Sequence, residues 1–347
     1  MKNHKNRTYL LIIALAIAIC TGLTSNVSAQ LADTTRYIAE DGWIEKIKTN
    51  FGVKISLDNR YETFRVKTET NEIDLYPNIS SVLQLGLSYR FIRLSIGYAP
   101  KFLPGNADED TKGKTNAIGF NLAMFTRHWF QEVGFSKVQG YYLFNTSDYI
   151  NWNPGDPYIQ FPDLHYQGFY GATGYSFNPR LSLKAMNLQT ERQLKSTGGF
   201  IAVLNYRYYI TDDQSELSPG RATQRSDNIE AGIGPGYVYT FVLKEQFYAS
   251  LAFMPSFNYI YSKITLRSLD ETFDSHQRNP AFRYEGRGSI GYNGHAFFGG
   301  FYIDYAGMTY KQEGTTAINH HDRMFYQFFV GFRIKSPKGM NRFFDKF

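Results

Sequence analysis

Cysteine is nearly absent from this 347-residue chain: the one copy, Cys20, lies in an apolar run near the N-terminus. Disulfides and cysteine-based metal sites or nucleophiles are therefore excluded from everything that follows it. Long hydrophobic runs are missing as well. After that first run no stretch approaches the ~18 apolar residues of a membrane-spanning helix. Strong charge of one sign is also lacking. The formal net charge is +6, and without the three N-terminal cations (Lys2, Lys5, Arg7) it falls to +3. That is too mild for a nucleic-acid binder. Gly232–Gly236 has neither the spacing nor the following helix of a dinucleotide loop, and no internal repeat is visible.

What is present begins with a secretory signal. Lys2, Lys5 and Arg7 precede the apolar run Tyr9–Cys20, and Val27-Ser28-Ala29 precedes Gln30. This order predicts a signal peptide over 1–29 with cleavage after Ala29. A lipoprotein anchor on Cys20 is disfavoured because Ile19, rather than a small residue, precedes it. Tyr (27) and Phe (29) raise the aromatic share to 17%, a supply that girdles at two membrane interfaces would use. A large secreted β-sandwich is the other aromatic-rich candidate.

From Phe51 onward, side chains alternate. Val53, Ile55 and Leu57 interleave with Lys54, Ser56 and Asp58; Leu83, Leu85 and Leu87 with Gln84, Gly86 and Ser88; Ile118, Phe120 and Leu122 with Gly119, Asn121 and Ala123. Period two is the signature of strands with one apolar face. Continued to 334, it predicts about twelve strands. Short connections (Phe91, Arg127, Lys244–Glu245, Asn293–Gly294) alternate with long ones (67–78, 101–115, 145–164, 211–227, 262–279, 310–320). A sandwich has no reason to obey that parity. The expectation is an all-β, antiparallel transmembrane β-barrel with short periplasmic turns and long extracellular loops. It occupies 51–334, with a periplasmic lead-in over 30–50 holding one short helix around Trp43–Ile47 and a periplasmic tail over 335–347.

The strongest local signal is Asn293-Gly294, which predicts a two-residue type I′ turn with positive φ at both residues. Counting outward, Arg283 faces Asp304, Glu285 faces Tyr302 and Arg287 faces Gly300. Two features resist the pattern. Pro235 and Pro255 lie inside strands and predict bulges or strand ends. The segment 178–197, "NPRLSLKAMNLQTERQLKST", stands where parity demands a short turn. It is either an extra hairpin, giving fourteen strands, or a short helical excursion. Gln189, Thr190, Glu191, Arg192 and Gln193 are too polar for a lipid-facing strand, so they are assigned below the barrel or inside it as a partial plug.

The runs Leu85–Phe91, Leu94–Phe102, His128–Gln131, Lys137–Leu143 and Gln189–Gln193 resemble a family of uncharacterised Bacteroidota outer-membrane proteins defined by a domain of unknown function. The resemblance implies an outer-membrane barrel along nearly the whole chain and adds no known activity.

If the alternation holds, Lys54, Asp58, Arg60, Glu62, Arg90, Arg93, Arg207, Arg283, Glu285, Arg287, Asp304 and Arg333 point into the lumen. An arginine on the lipid face near the midplane would cost roughly 2–4 kcal/mol. Such a ladder either fills the barrel with ion pairs or lines a narrow channel. Arginine outnumbers acid in it, which favours small polar or anionic solutes. A rim hydrolase is the weakest alternative. Asp108-x-Asp110 with Asp274-x-His276 has an aspartyl-protease-like spacing, and the contiguous Asp274-Ser275-His276 does not form a triad. His320 and His321 are adjacent and diverge in a strand, so no metal site is assigned. No cofactor is expected. Expected partners are outer-membrane lipid and the barrel-insertion and chaperone machinery.

Overall fold

The computed structural model describes residues 36–38, 41–59, 63–67, 72–103, 105–311 and 318–344; the predicted signal peptide lies outside them. In chain order the elements are β1 (Arg36–Ile38), β2 (Ile44–Ile47), β3 (Asn50–Asp58), β4 (Phe64–Lys67), β5 (Glu72–Tyr76), β6 (Val82–Tyr89), β7 (Ile92–Tyr98), α1 (Glu109–Lys112), β8 (Asn116–Phe125), β9 (Trp129–Leu143), β10 (Gln160–Ser176), α2 (Leu183–Asn187), β11 (Glu191–Gln193), β12 (Thr197–Asp213), β13 (Thr223–Leu243), β14 (Phe247–Arg267), β15 (Thr272–Asn293), β16 (Phe297–Lys311), β17 (Ile318–Lys335) and α3 (Lys338–Phe344).

Twelve of these strands close into one antiparallel barrel. The order is β3-β6-β7-β8-β9-β10-β12-β13-β14-β15-β16-β17, and β17 pairs back onto β3. Closure leaves no sheet edge, so every wall strand can satisfy its backbone where no water is available. Outward positions carry Ile229, Ile233, Phe241, Leu251 and Phe257, all exposed. The alternate positions turn inward and bury charge, amide and hydroxyl groups such as Lys54, Asp58, Glu230, Asn258 and Glu285. Strands β13–β15 run to 21, 21 and 22 residues. About ten residues cross a bilayer, so these strands project well beyond it.

Two further strands modify the rim. Over 64–76, overlapping the segment 67–78 read from sequence as a polar loop, β4 and β5 form a hairpin. Its β4 edge pairs with β17 (Ile318–His320) and its β5 edge with β9 (Leu75–Leu143, Tyr76–Tyr142). A second hydrogen-bonded circuit of ten strands thus passes from β17 to β9 through the hairpin, bypassing the short strands β3, β6, β7 and β8. Fewer strands mean a narrower ring. The extra hairpin sits here and not at 178–197. The bidentate pair Arg65–Asp74 (2.6 and 3.0 Å) fastens it. This bond is the chief reason the Arg65 guanidinium is held above its ordinary value.

Three local expectations are corrected. The lead-in helix is a strand: β2 pairs with β1 on one side and with β11 on the other, forming a small separate sheet. The Asn293-Gly294 turn is wider than two residues. Asn293 pairs with Phe298, so every partner on β16 lies four residues further along, with Arg283 opposite Met308 and Arg287 opposite Asp304. An even shift leaves each side chain on its predicted face. The positive-φ pair expected there occurs instead at Lys244 (51°) and Glu245 (57°), between β13 and β14. Finally, the prolines make no bulge. The register Ile233–Phe257 resumes unchanged at Tyr237–Phe253.

Candidate functional site

The interior holds a cavity of about 260 Å³ at mid-barrel. One wall is a chain of alternating charges. Arg207 on β12 faces its cross-strand partner Glu230 on β13 (3.5 Å), and Glu230 reaches Arg283 on β15 (3.9 Å). Arg283 then meets Glu285 (2.8 Å), Glu285 meets Arg287 (2.6 Å), and Arg287 meets Asp304 on β16 (3.2 Å). Asn258 of β14 donates to Glu230 (2.8 Å), and the Tyr302 hydroxyl donates to Asp304 (3.3 Å). Residues two apart on a strand share a face, which is why β15 can supply three consecutive rungs. Charge-assisted bonds of this length suit a site screened from water. Beyond Asp304, on the adjoining strands β17 and β3, Lys54 Nζ donates to Gln327 (3.2 Å) and Gln327 donates to Asp58 (3.3 Å). Arg93 and Glu132 also line the cavity.

At the long-loop side, apolar side chains fill the interior. Val138, Tyr141, Leu164, Tyr166 and Tyr209 form a buried cluster, with Phe64 and Leu75 of the rim hairpin packed against it. Tyr166 is 0% exposed. The Phe64 ring lies 5.6 Å from that of Tyr141 and 5.7 Å from that of Tyr166. A neighbouring cluster joins Ile260, Ala281 and Met308 with Tyr310.

At the short-turn side the 178–197 segment lies across the interior. Ser182 caps α2, its Oγ accepting from Ala185 N (3.0 Å) and donating to Glu191 (2.6 Å). Leu181 and Leu188 dock on Phe125, Phe130, Ile201, Val203 and Val238 of the wall. A smaller cavity of about 70 Å³ beside Leu183 and Met186 adjoins the charged rungs at Arg287. The helix ends at Gln189 with φ 56°, a conformation costing about 1–2 kcal/mol for a non-glycine residue. Arg333 offsets it: its Nε and Nη2 donate to the Gln189 carbonyl (3.1 and 2.6 Å), and Nη2 also donates to Asn293 Oδ1 (2.6 Å). Asn293 Nδ2 in turn donates to the Glu191 carbonyl (3.0 Å). This engagement holds the Asn-Gly connection open. Arg192 donates to the carbonyls of Asn293 (2.8 Å) and Glu245 (2.7 Å) and pairs with Glu45 and His295. Glu45 and Arg192 side chains are 5% and 3% exposed, and Arg333 is 1% exposed. Thr190 donates to the Arg90 carbonyl (2.5 Å), and Gln193 donates to those of Arg180 and Trp43 (2.9 and 3.2 Å). All of Gln189–Gln193 is buried.

The lumen-lining set named from sequence thus divides. Lys54, Arg93, Arg207, Arg283, Glu285, Arg287 and Asp304 border the cavity, and Asp58 is buried beside it. Arg90 does not stand on the wall: it occupies the β6–β7 turn with φ 50°. Arg333 faces inward but binds the 178–197 segment. Arg60 and Glu62 lie outside the described residues. Glu230 and Glu132 were missed, although each falls on the inward face of its strand. Glu45 and His295 were missed for want of any local signal. With these two acids added and Arg90 and Arg333 set aside, the excess of arginine over acid that favoured anions disappears. The Asp108/Asp110 and Asp274/His276 pairs lie beside β8 and on β15, six strands apart in either direction around the barrel. Asp108 pairs with Lys112 (3.0 Å) and Asp274 with Lys263 (3.0 Å).

A closed antiparallel barrel with an apolar outer belt and a polar interior defines an integral protein of the bacterial outer membrane, its short turns on the periplasmic side. The chain belongs to the family described as Domain of unknown function (DUF4421), which it matches over residues 39–334. No curated protein matches it in sequence. Solved structures similar to it include the outer membrane protease OmpT of Escherichia coli (9% identity, TM-score 0.38, covering 84% of this chain and 98% of that one). Others are Ail, the attachment invasion locus protein of Yersinia pestis (9%, 0.26, 83% and 99%), and the Ralstonia pickettii toluene transporter TbuX (9%, 0.27, 84% and 90%).

Proposed function

We propose that this protein is a closed outer-membrane barrel in its resting state, not a standing diffusion pore. The 178–197 segment acts as a plug at the periplasmic mouth, and the mid-barrel cavity serves as a sealed chamber for a small polar solute. Passage, where it occurs, requires the plug or the rim hairpin to move. The observation that carries this reading is the pair of buried arginines. Arg192 and Arg333 together bind the plug segment to β2, to the β13–β14 and β15–β16 turns and to β17. Removing one partner from such a buried network costs about 3–5 kcal/mol, so the plug is not a fluctuating loop. Outer-membrane lipid is the partner of the apolar belt, and insertion into it falls to the envelope's barrel-assembly and chaperone machinery.

Planar-bilayer recording of the purified protein tests the reading. Silent, correctly folded barrels with at most brief openings are expected. A steady ohmic current through the unmodified protein would sink it and restore the narrow-channel reading.

A further inference from the structure

We infer that the chamber binds a single neutral, polyhydroxylated molecule of about one sugar ring, and that it discriminates against charged analogues. This rests on the closed-chamber reading above. Three observations carry it.

The first is electrical. Five basic side chains (Lys54, Arg93, Arg207, Arg283, Arg287) and four acidic ones (Glu132, Glu230, Glu285, Asp304) line the cavity. Asp58, one hydrogen bond beyond Gln327, brings the two signs level. The ladder charges are matched to one another at 2.6–3.9 Å. An ionic ligand entering this enclosure loses its hydration and finds the six ladder charges already paired with one another, which is costly. A neutral ligand carries no such penalty.

The second is the chemistry of the groups still able to bind. Tyr248 and Ser136 line the cavity, and their hydroxyls are buried and have no hydrogen-bond partner among the described residues. A hydroxyl both donates and accepts, so another hydroxyl is its natural complement. Around them stand Gln84, Ser95, Asn121, Asn205 and Ser289, which also offer donors and acceptors without net charge. Tyr170 and Tyr302 add flat apolar surface with a polar tip.

The third is size and access. A cavity of about 150 Å³ is enough to hold a benzene ring, so a 260 Å³ chamber has room for one compact ring. Arg287 keeps 30% of its side chain accessible at mid-barrel, where the cavity borders it. It is the charged group a bound ring would touch while Glu285 and Asp304 continue to neutralise it.

The experiment is equilibrium dialysis of the full-length mature barrel in detergent against labelled glucose and N-acetylglucosamine, with glucuronate and glucosamine as the charged analogues. One neutral sugar retained per barrel, and at least tenfold weaker retention of both charged analogues, is expected. Tyr248→Phe and Ser136→Ala should each weaken neutral retention roughly two- to tenfold, the effect of one hydrogen bond. Glu285→Gln should move the preference toward glucuronate, because it leaves Arg283 and Arg287 short of one carboxylate. Should that variant fail to fold, Tyr248→Phe decides. Retention of no neutral sugar, or equal retention of the charged analogues, overturns the inference. Conductance measured on the same preparation separates the two readings. A conducting barrel that still retains a neutral sugar removes only the closed resting state, whereas a silent barrel that retains none removes only the ligand.

Discussion

Pro235 of β13 and Pro255 of β14 stand directly opposite each other, midway between the pairs Ile233–Phe257 and Tyr237–Phe253. Each keeps its pairing on the other side, to Ala202 and to Tyr284. Proline lacks the N–H a ladder needs, so placing the two together confines the loss to one rung of one seam. Scattered, they would have weakened two seams. The Pro255 carbonyl, left without its donor, turns over Gly234.

That geometry makes Gly234 hard to replace. A side chain there would set its Cβ 1.9 Å from the Pro255 carbonyl oxygen, and backbone cannot easily yield. Gly234→Ala should therefore destabilise the barrel by about 1–3 kcal/mol, the range for overpacking. Gly286→Ala, which meets nothing within 4 Å, should be neutral or slightly stabilising. Heat-modifiability on gels or urea unfolding in detergent measures both, and equal effects would remove the explanation.

Arg333→Met should loosen the plug. It strands the Gln189 carbonyl and Asn293 Oδ1, each bonded at 2.6 Å, and a buried acceptor without its donor costs about 1–3 kcal/mol. A lower unfolding midpoint and frequent openings in bilayer recordings are expected. Arg278→Met, at the outer end of β15, should leave both properties unchanged.

Orientation can be read on intact cells with a membrane-impermeant thiol reagent. Asp108→Cys, Ser218→Cys and Asp270→Cys lie on the long-loop side and should be labelled. Lys244→Cys, in a short turn, should be protected until the cells are broken. The opposite pattern would invert the barrel.

The rim hairpin separates an ion pair from an aromatic contact. Arg65 is 41% exposed, so its bond to Asp74 is worth about 1 kcal/mol or less. Phe64 instead packs on two buried tyrosines, and its truncation should cost about 2 kcal/mol or more. Phe64→Ala should thus lower the melting temperature further than Asp74→Asn. The reverse order would mean that the hairpin is held electrostatically.

The sequence by itself determined the class of fold and the face each strand residue takes. Period-two alternation and the parity of short and long connections are local properties, legible without knowing any partner. The face assignment of Arg283, Glu285 and Arg287 even survived a four-residue error in register, because an even shift cannot turn a strand over. Only the tertiary structure decided what those residues meet. Arg192 and Glu45 are 147 positions apart, Arg333 and Asn293 are 40 apart, and no local pattern announces either pairing. The same holds for the rim hairpin, whose strands pair with β17 and β9 and with none of their chain neighbours in the wall. It holds too for Asn293-Gly294. Its strong intrinsic turn preference yields to the buried hydrogen bonds that the plug supplies, since in an interior without water a satisfied polar network outweighs a local backbone propensity.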